Sequence, residues 1–513
     1  MSPEEIIQKI LEIRQIANPV EFFNPPHPGN VESPFKSRPA IELIKKHMAL
    51  NNKIVIYGDY DVDGICATAI LWETLYENYK NVLPHIPHRE SEGYGLSIKG
   101  IDHCLTQGAK LIITVDNGVV AHQQIQYIKD RGCDVMVVDH HEPDNRLPNA
   151  NCILHSTQCC AAGLAWFFAK DWQELNAKSQ VPSAELVVLA TVCDLVPLVG
   201  INRSFVKHGL EELKHTQRVG LLALFQESAI KKIGTYEICY VIGPRINAMG
   251  RLEHAIDSLR LLCTKNAKQA EELARLLSQT NKLRQDETKN SLDHALGLVK
   301  EDDIIVVSDT GYNPGVIGLI AGKLTEKYHR PSIAISIGEK ESKASCRSIS
   351  GFHITDHLRQ YADLLVAVGG HAAAAGFTVA NANLPKLLKL LSETKIDPKL
   401  LKKAQRVDLE IPLESVTWDL LFALRLLEPY SLGNPFPVFS TSEVEVSDIR
   451  PVGKEGKHLK FKADGLDAIW FNGQPLANGK YNLVYQVDEN NFNGNSSLQL
   501  NVRDIMTHGS KTL

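Results

Sequence analysis

Ile54-Val55-Ile56-Tyr57-Gly58 runs straight into Asp59-Tyr60-Asp61-Val62-Asp63-Gly64, and this junction decides how the chain is read. Three more apolar runs end in the same way. Leu111–Val115 reaches Asp116-Asn117-Gly118, Val135–Val138 reaches Asp139-His140-His141, and Leu186–Cys193 reaches Asp194. Continuous apolar runs between helical segments mark parallel strands buried on both faces. In such sheets the ligand crevice lies at the carboxyl ends of the strands. The four acidic ends are therefore expected to converge on one edge of an α/β sheet.

Asp59, Asp61 and Asp63 are spaced by two, so on an extended segment all three point the same way. With Asp116 and Asp194 they make five carboxylates facing one another, and such a group cannot all ionise unless cations lie between them. Oxygen ligands with one or two imidazoles favour Mn²⁺ or Mg²⁺ over zinc. Five carboxylates exceed what one such ion needs. A pair ~3.5–4 Å apart, sharing a carboxylate, is the arrangement suited to in-line attack on phosphate esters. Blander readings compete at each position. A single Asp after a strand usually caps the next helix, and Asp139 could do that or orient an imidazole. A His-His pair alone is more often surface or core than ligand. The DxDxDG pattern also resembles a calcium loop, but Ile70 stands where its Glu is required. Four separate strand ends carrying acids, one with His-His, are hard to reach by capping alone.

The 513 residues exceed one core, and three or four domains are expected. Hydrophobic residues make up 44% of the chain and charged residues 22%, the balance of a folded protein. No apolar run is long enough for a membrane span. The start, Met1-Ser2-Pro3-Glu4-Glu5, is acidic, so a cytoplasmic location is expected. The ten cysteines form no CxxC pair and several sit in apolar runs, which points to buried thiols and away from disulfides or zinc. A net charge of −5 counts against a nucleic-acid binder unless the basic residues gather locally.

Along the chain, residues 1–50 read as a helical arm and 51–200 as an α/β catalytic unit. Residues 201–300 read as a helical connector. Within it, 251–296 hold neither Gly nor Pro, and 266–300, rich in Leu, Ala, Glu, Lys and Gln, read as one long helix. Residues 301–400 form a second α/β unit with strands near Ile304–Ser308, Ser332–Ile337 and Leu364–Val368. Residues 401–513 carry short alternating segments (Gly456–Ala463, Ala468–Phe471, Asn482–Val487), as in a small β-barrel.

The Asp139-His140-His141 triplet is the signature of the DHH phosphoesterases, and Asp59-Tyr60-Asp61-Val62-Asp63-Gly64 resembles their first motif in the RecJ branch. His88-Arg89-Glu90-Ser91-Glu92-Gly93-Tyr94-Gly95-Leu96 and Gly243-Pro244-Arg245-Ile246-Asn247-Ala248-Met249-Gly250-Arg251-Leu252 resemble further RecJ blocks. So do Asn313-Pro314-Gly315-Val316-Ile317-Gly318 and Ser345-Cys346-Arg347-Ser348. Gly369-Gly370-His371-Ala372-Ala373-Ala374-Ala375-Gly376-Phe377 resembles the glycine-rich signature of the companion DHHA1 domain. The likeness runs from about residue 50 to 440, and the tail resembles the oligonucleotide-binding (OB) barrel of the same family.

The resemblance implies a DHH domain, a long connecting helix, a DHHA1 domain and an OB-like barrel. It implies a 5′→3′ exonuclease that is specific for single-stranded DNA and releases 5′-mononucleotides in repair and recombination, using two Mn²⁺ or Mg²⁺ ions. Asp59, Asp61 and Asp116 would hold one metal; Asp63, Asp116, His140 and Asp194 would hold the other. His141 would meet the scissile phosphate. Arg89, Arg245, Asn247, Arg251, Ser345, Arg347 and His371 would meet the strand backbone or its 5′ phosphate, the arginines through guanidinium forks that match phosphate oxygens. The arginines are expected in loop-like segments outside helix faces. Lys454, Lys457, His458, Lys460, Lys462, Trp470 and Phe471 are candidates for the barrel's grip on the strand, although Trp470 and Phe471 also suit a barrel core. The family further implies a monomer working beside a helicase and a single-strand-binding protein. Two other readings compete: a hydrolase of short oligonucleotides on the same scaffold, which the extra C-terminal barrel disfavours, and a non-catalytic nucleic-acid scaffold, which the intact acid and histidine set disfavours.

Overall fold

The computed structural model describes residues 1–89, 91–93, 95–176, 182–492 and 494–507. Glu90 and Tyr94 of the His88–Leu96 block lie outside the described residues. The first sheet is built from β1 (Lys53–Tyr57), β2 (Val82–His85), β3 (Ala109–Val115), β4 (Asp134–Asp139) and β5 (Cys152–His155), all parallel in the order β2-β1-β3-β4-β5. Two apolar layers cover its two faces, one of them the largest core of the molecule. This order reverses direction between β1 and β3, and a crevice opens at that switch point beyond the strand ends. Asp59 follows β1 and Asp116 follows β3.

Two expectations about this region need correction. Leu186–Cys193 is not a strand but part of the helix Glu185–Cys193, which is buried from Glu185 to Val192. An apolar run of this length cannot be told from a fully buried helix by periodicity. Nor do Asp59, Asp61 and Asp63 alternate along one extended segment. Asp61 caps the helix Val62–Tyr76, accepting the Gly64 amide at 3.0 Å, and Asp63 lies in that helix's first turn. The three carboxylates are brought together by a strand–turn–helix junction.

The connector contains the helices Gly243–Leu252, Ile256–Cys263 and Ala267–Leu298; the last is the long helix expected. The second unit is a mixed sheet of β6 (Ile305–Asp309), β7 (Ser332–Ile337), β8 (Glu341–Arg347), β9 (Leu365–Gly370) and β10 (Ala374–Ala380), ordered β6-β7-β8-β10-β9. The C-terminal unit starts with β11 (Leu409–Glu410). It then closes β12 (Phe439–Val452), β13 (His458–Ala463), β14 (Leu466–Trp470), β16 (Asn495–Thr507) and β15 (Gly479–Phe492) into a five-stranded barrel through the β12–β15 pairing. Closure removes the open edges that would invite strand addition.

The segment 1–50 divides between two bodies. Ile6, Ile7, Ile10 and Leu11 of the helix Pro3–Ile13 join the barrel's core, whereas Ala40, Ile41 and Ile44 of Arg38–Ala49 join the core of the first sheet. Buried Arg203 ties these bodies together. It donates to the carbonyls of Phe22 (2.6 Å), Leu427 (3.1 Å) and Glu428 (3.0 Å) and lies 3.7 Å from the Phe22 ring centroid. No helix of the described residues is long and apolar enough to cross a membrane, and all ten cysteines are free thiols.

Candidate metal centre and nucleic-acid cleft

The carboxyl edge of the first sheet gathers the acids. Asp59, Asp61 and Asp116 present ligand atoms within 4.8 Å of one another; Asp63, His140 and Asp194 form a second such group, and Asp116, His140 and His141 a third. His140 Nε2 faces Asp116 at 3.2 Å, Asp63 at 3.6 Å and Asp194 at 3.8 Å. Asp116 and His140 therefore sit where the groups meet.

Each group is held by its element. Both oxygens of Asp63 accept amides at 2.7 Å, from Ala161 and Ala162 at the N-terminus of the helix Ala161–Leu175. An N-terminus is where a carboxylate is best accommodated. Asp116 has φ +62°, a left-handed conformation that costs a non-glycine residue about 1–3 kcal/mol. Asp139 is a positioning group: it accepts the Val119 amide (2.8 Å) and binds Nδ1 of His141 at 2.8 Å. The His141 carbonyl is in turn held by His155 Nε2 at 2.8 Å. Asn247 accepts the Val62 amide at 3.1 Å, so it braces the turn that carries Asp61 and Asp63.

Burial and mutual repulsion leave these acids under strain. Burial first, and then Asp63, Asp61, Asp59 and Asp194, push Asp116 well above the usual carboxylate range. Burial followed by Asp61 does the same to Asp59. Asp63 is raised chiefly by burial. Asp194 keeps 30% of its side chain exposed, yet loss of solvent and then the neighbouring Asp63 and Asp61 push it up to about 8. Asp139 moves the other way; burial opposes, but hydrogen bonds from His141 and the Val119 amide outweigh it. Burial lowers His140, whereas at His141 burial is overridden by the bond to Asp139, which raises it. Both carboxylate oxygens of Asp59 and Oδ1 of Asp116 are buried without a well-formed hydrogen bond. Buried acceptors left in this condition are costly unless a cation satisfies them. The donor set, oxygens with imidazole, fits hard divalent cations such as Mn²⁺ and Mg²⁺.

Beside the acids stands a group of guanidinium ions. Arg251 is lowered to about 10, by burial first and then by the charges of Arg89, Arg284 and Arg347. Arg89 lies 5.2 Å from the Tyr60 ring centroid, Arg251 donates to the Gly315 carbonyl at 3.1 Å, and Arg347 donates to the Cys346 carbonyl at 2.8 Å with Ser345 Oγ at 3.3 Å. Two glycines permit this assembly. A Cβ on Gly250 would lie 2.7 Å from the Tyr60 carbonyl oxygen, and one on Gly315 would lie 2.2 Å from that of Arg251. Like charges packed together invite an anion.

The family model of the DHH family, N-terminal domain, matches residues 53–191, that of the DHHA1 domain residues 301–395, and that of the RecJ OB domain residues 407–504. The single-stranded-DNA-specific exonuclease RecJ of Haemophilus influenzae is 30% identical over 511 residues, covering 90% of this chain and 89% of that protein. This chain belongs to the RecJ exonuclease family. RecJ of Bacillus subtilis is 33% identical over 495 residues, and there the match covers 91% of this chain but 62% of the relative. This chain thus spans less than two thirds of that RecJ. A crystal structure of Thermus thermophilus RecJ with Mn²⁺ superposes with a TM-score of 0.86 at 28% identity, over 98% of this chain and 76% of that one; the same RecJ is also known with Mg²⁺. The DHH sheet, DHHA1 domain and OB barrel expected from the sequence are those of the RecJ fold.

Not every residue singled out in the sequence joins the centre. Arg245 and Arg251 are not in loops but in the helix Gly243–Leu252, where Pro244 occupies the first turn. Arg245 turns to Ser278 (3.1 Å) and the Val241 carbonyl (2.7 Å), bracing the long helix. His371 is exposed in the turn between β9 and β10. On the barrel, His458, Lys460 and Lys462 share the outward side of β13 while Leu459, Phe461 and Ala463 face inward. Trp470 packs on the barrel core and Phe471 is 49% exposed. Arg284, on the long helix, was not singled out from the sequence; in a run rich in charge it reads as a solvated helix face. The Ala161 and Ala162 amides carry no side-chain signal at all.

Proposed function

We propose that this chain shortens single-stranded DNA from its 5′ end by two-metal phosphodiester hydrolysis, releasing 5′-mononucleotides, in DNA repair and recombination. Three ligand groups linked through Asp116 and His140 carry the reading. Asp59, Asp61 and Asp116 would hold one cation, and Asp63, Asp116, His140 and Asp194 the other. When bound, such a pair supplies an activated water at neutral pH and offsets charge on the phosphoryl oxygens. His141, with Nδ1 fixed by Asp139, offers Nε2 to the scissile phosphate. Arg89, Arg251, Arg347 and Ser345 are suited to the terminal phosphate, now joined by Arg284. Arg245 and Asn247 are better suited to bracing than to contact. The outward side of β13 offers Lys460 to the strand further along. A helicase and a single-strand-binding protein are fitting partners for an enzyme that consumes one strand.

A nuclease assay on end-labelled, 5′-phosphorylated DNA tests this. Single strands should be degraded from the 5′ end with Mn²⁺ and spared with EDTA, and blunt duplex should resist. Degradation from the 3′ end, or equal attack on duplex, would overturn the reading.

A further inference from the structure

A cleft of about 1150 Å³ opens between the connector and the segment that leads into the barrel. Leu195, which lines it and follows Asp194 in the chain, has φ +56° and is 53% exposed. One wall carries the π-helical turn Ile238–Ile242 and the residues just before it. Single π-turns are frequent at functional sites. Tyr240 in this turn and Tyr236 in the helical turn Thr235–Glu237 before it are each 66% exposed, with ring centroids 4.9 Å apart at 37°. Leu426 and Leu432, 62% and 53% exposed, also line the cleft. Cys239, between the two tyrosines, also lines a smaller cavity of about 120 Å³ that reaches Arg251 and Arg284.

Its charges nearly cancel. Lys207, Lys214, Lys232 and Arg425 stand against Glu211, Glu237 and Glu428, with Lys214 paired to Glu211 and Arg425 to Glu489. A track that read phosphates would be basic. Two adjacent aromatic faces in a nearly neutral cleft fit bases, whose π-faces stack without regard to sequence.

We propose that Tyr236 and Tyr240 form a stacking platform for the bases of the single strand on the 3′ side of the scissile phosphate. This rests on the exonuclease reading and names what holds the strand in register while its 5′ end is cut. The test uses the full chain with Mn²⁺ and compares wild type, Tyr236→Ala/Tyr240→Ala and Tyr236→Phe/Tyr240→Phe. The Ala variant should raise KM on a strand of roughly 20 nucleotides by about tenfold with kcat unchanged. It should cleave a 5′-phosphorylated dinucleotide, too short to reach the cleft, as wild type does, and the Phe variant should match wild type on both. Abasic linkers in the strand should cost wild type the same factor and the Ala variant nothing further. Fluorescence anisotropy of the same strand in EDTA reads the platform without catalysis, so an inactive wild type would sink the exonuclease reading and leave this measurement standing. An unchanged dissociation constant in the Ala variant, or equal loss on dinucleotide and long strand, overturns the platform. The unchanged constant would leave the cleft to a protein partner.

Discussion

The carboxyl edge of the DHH sheet and the outer side of the barrel are both charged surfaces, but they treat charge in opposite ways. At the sheet edge Asp59, Asp63 and Asp116 are 1–3% exposed and press on one another. On the barrel, Lys457 meets Glu455 at 2.7 Å and Lys462 meets Asp467 at 2.8 Å, out in solvent. Exposed pairs of this kind contribute little and fade with salt. The first region is unfavourable until something binds; the second is already at rest. A protein keeps unfavourable charge buried where a ligand will relieve it, which separates a reaction centre from a grip.

The comparison breaks first at Asp116. Asp116→Asn should lower kcat by about 10⁴-fold or more, because both proposed cation positions would lose a ligand. Binding of single-stranded DNA by anisotropy should persist; loss of both would mean that the residue is structural. Next comes the guanidinium group. Arg251→Ala should raise KM about 30-fold on 5′-phosphorylated strands, since a buried charged contact of this kind is worth roughly 2–5 kcal/mol, and change KM little on 5′-hydroxyl strands. Equal effects on both ends would move Arg251 away from the terminal phosphate. The barrel should give less. Lys454→Ala/Lys460→Ala should weaken DNA binding a few-fold and flatten its salt dependence by about 1.4 in log–log slope, at ~0.7 per single-strand phosphate contact.

The smallest effect is the most diagnostic of strain. In EDTA the raised carboxylates bind more protons in the folded state than in the unfolded one. Their contribution therefore falls as pH rises from about 4 toward about 8. Asp116→Asn removes one repelling charge and suits the left-handed φ found there, a region in which Asn is enriched. The metal-free variant should therefore melt about 2–4 °C above metal-free wild type at pH near 8, as a gain of about 1 kcal/mol would give, and less so at pH near 5. Mn²⁺ should reverse the order. A variant less stable than wild type in EDTA at both pH values would contradict the strain.

The two regions also differ in how much of them the sequence disclosed. Strand ends are legible because a buried parallel strand must be apolar and its crevice must be polar, so Asp59, Asp116 and Asp139-His140-His141 stand out. The alternating segment Gly456–Ala463 was legible for the same periodic reason, and in the barrel Leu459 and Phe461 face inward. Asp194 was found through a wrong element, because it follows a helix and not a strand. A helix buried on all sides has the same hydropathy as a buried strand, and only packing decides. Arg284 was hidden by its helix, and the amides that hold Asp63 have no side chains to read. Asn247 and Arg245 were visible, but whether such groups face a ligand or a neighbouring helix depends on long-range packing.

Counting bound Mn²⁺ by equilibrium dialysis, together with its electron paramagnetic resonance spectrum, tests the shared carboxylate most directly. Wild type should bind two ions per chain with the exchange-coupled signal of neighbours ~3.5–4 Å apart, and Asp116→Asn should lose that coupling. A single ion, or two magnetically independent ones in wild type, would contradict the account.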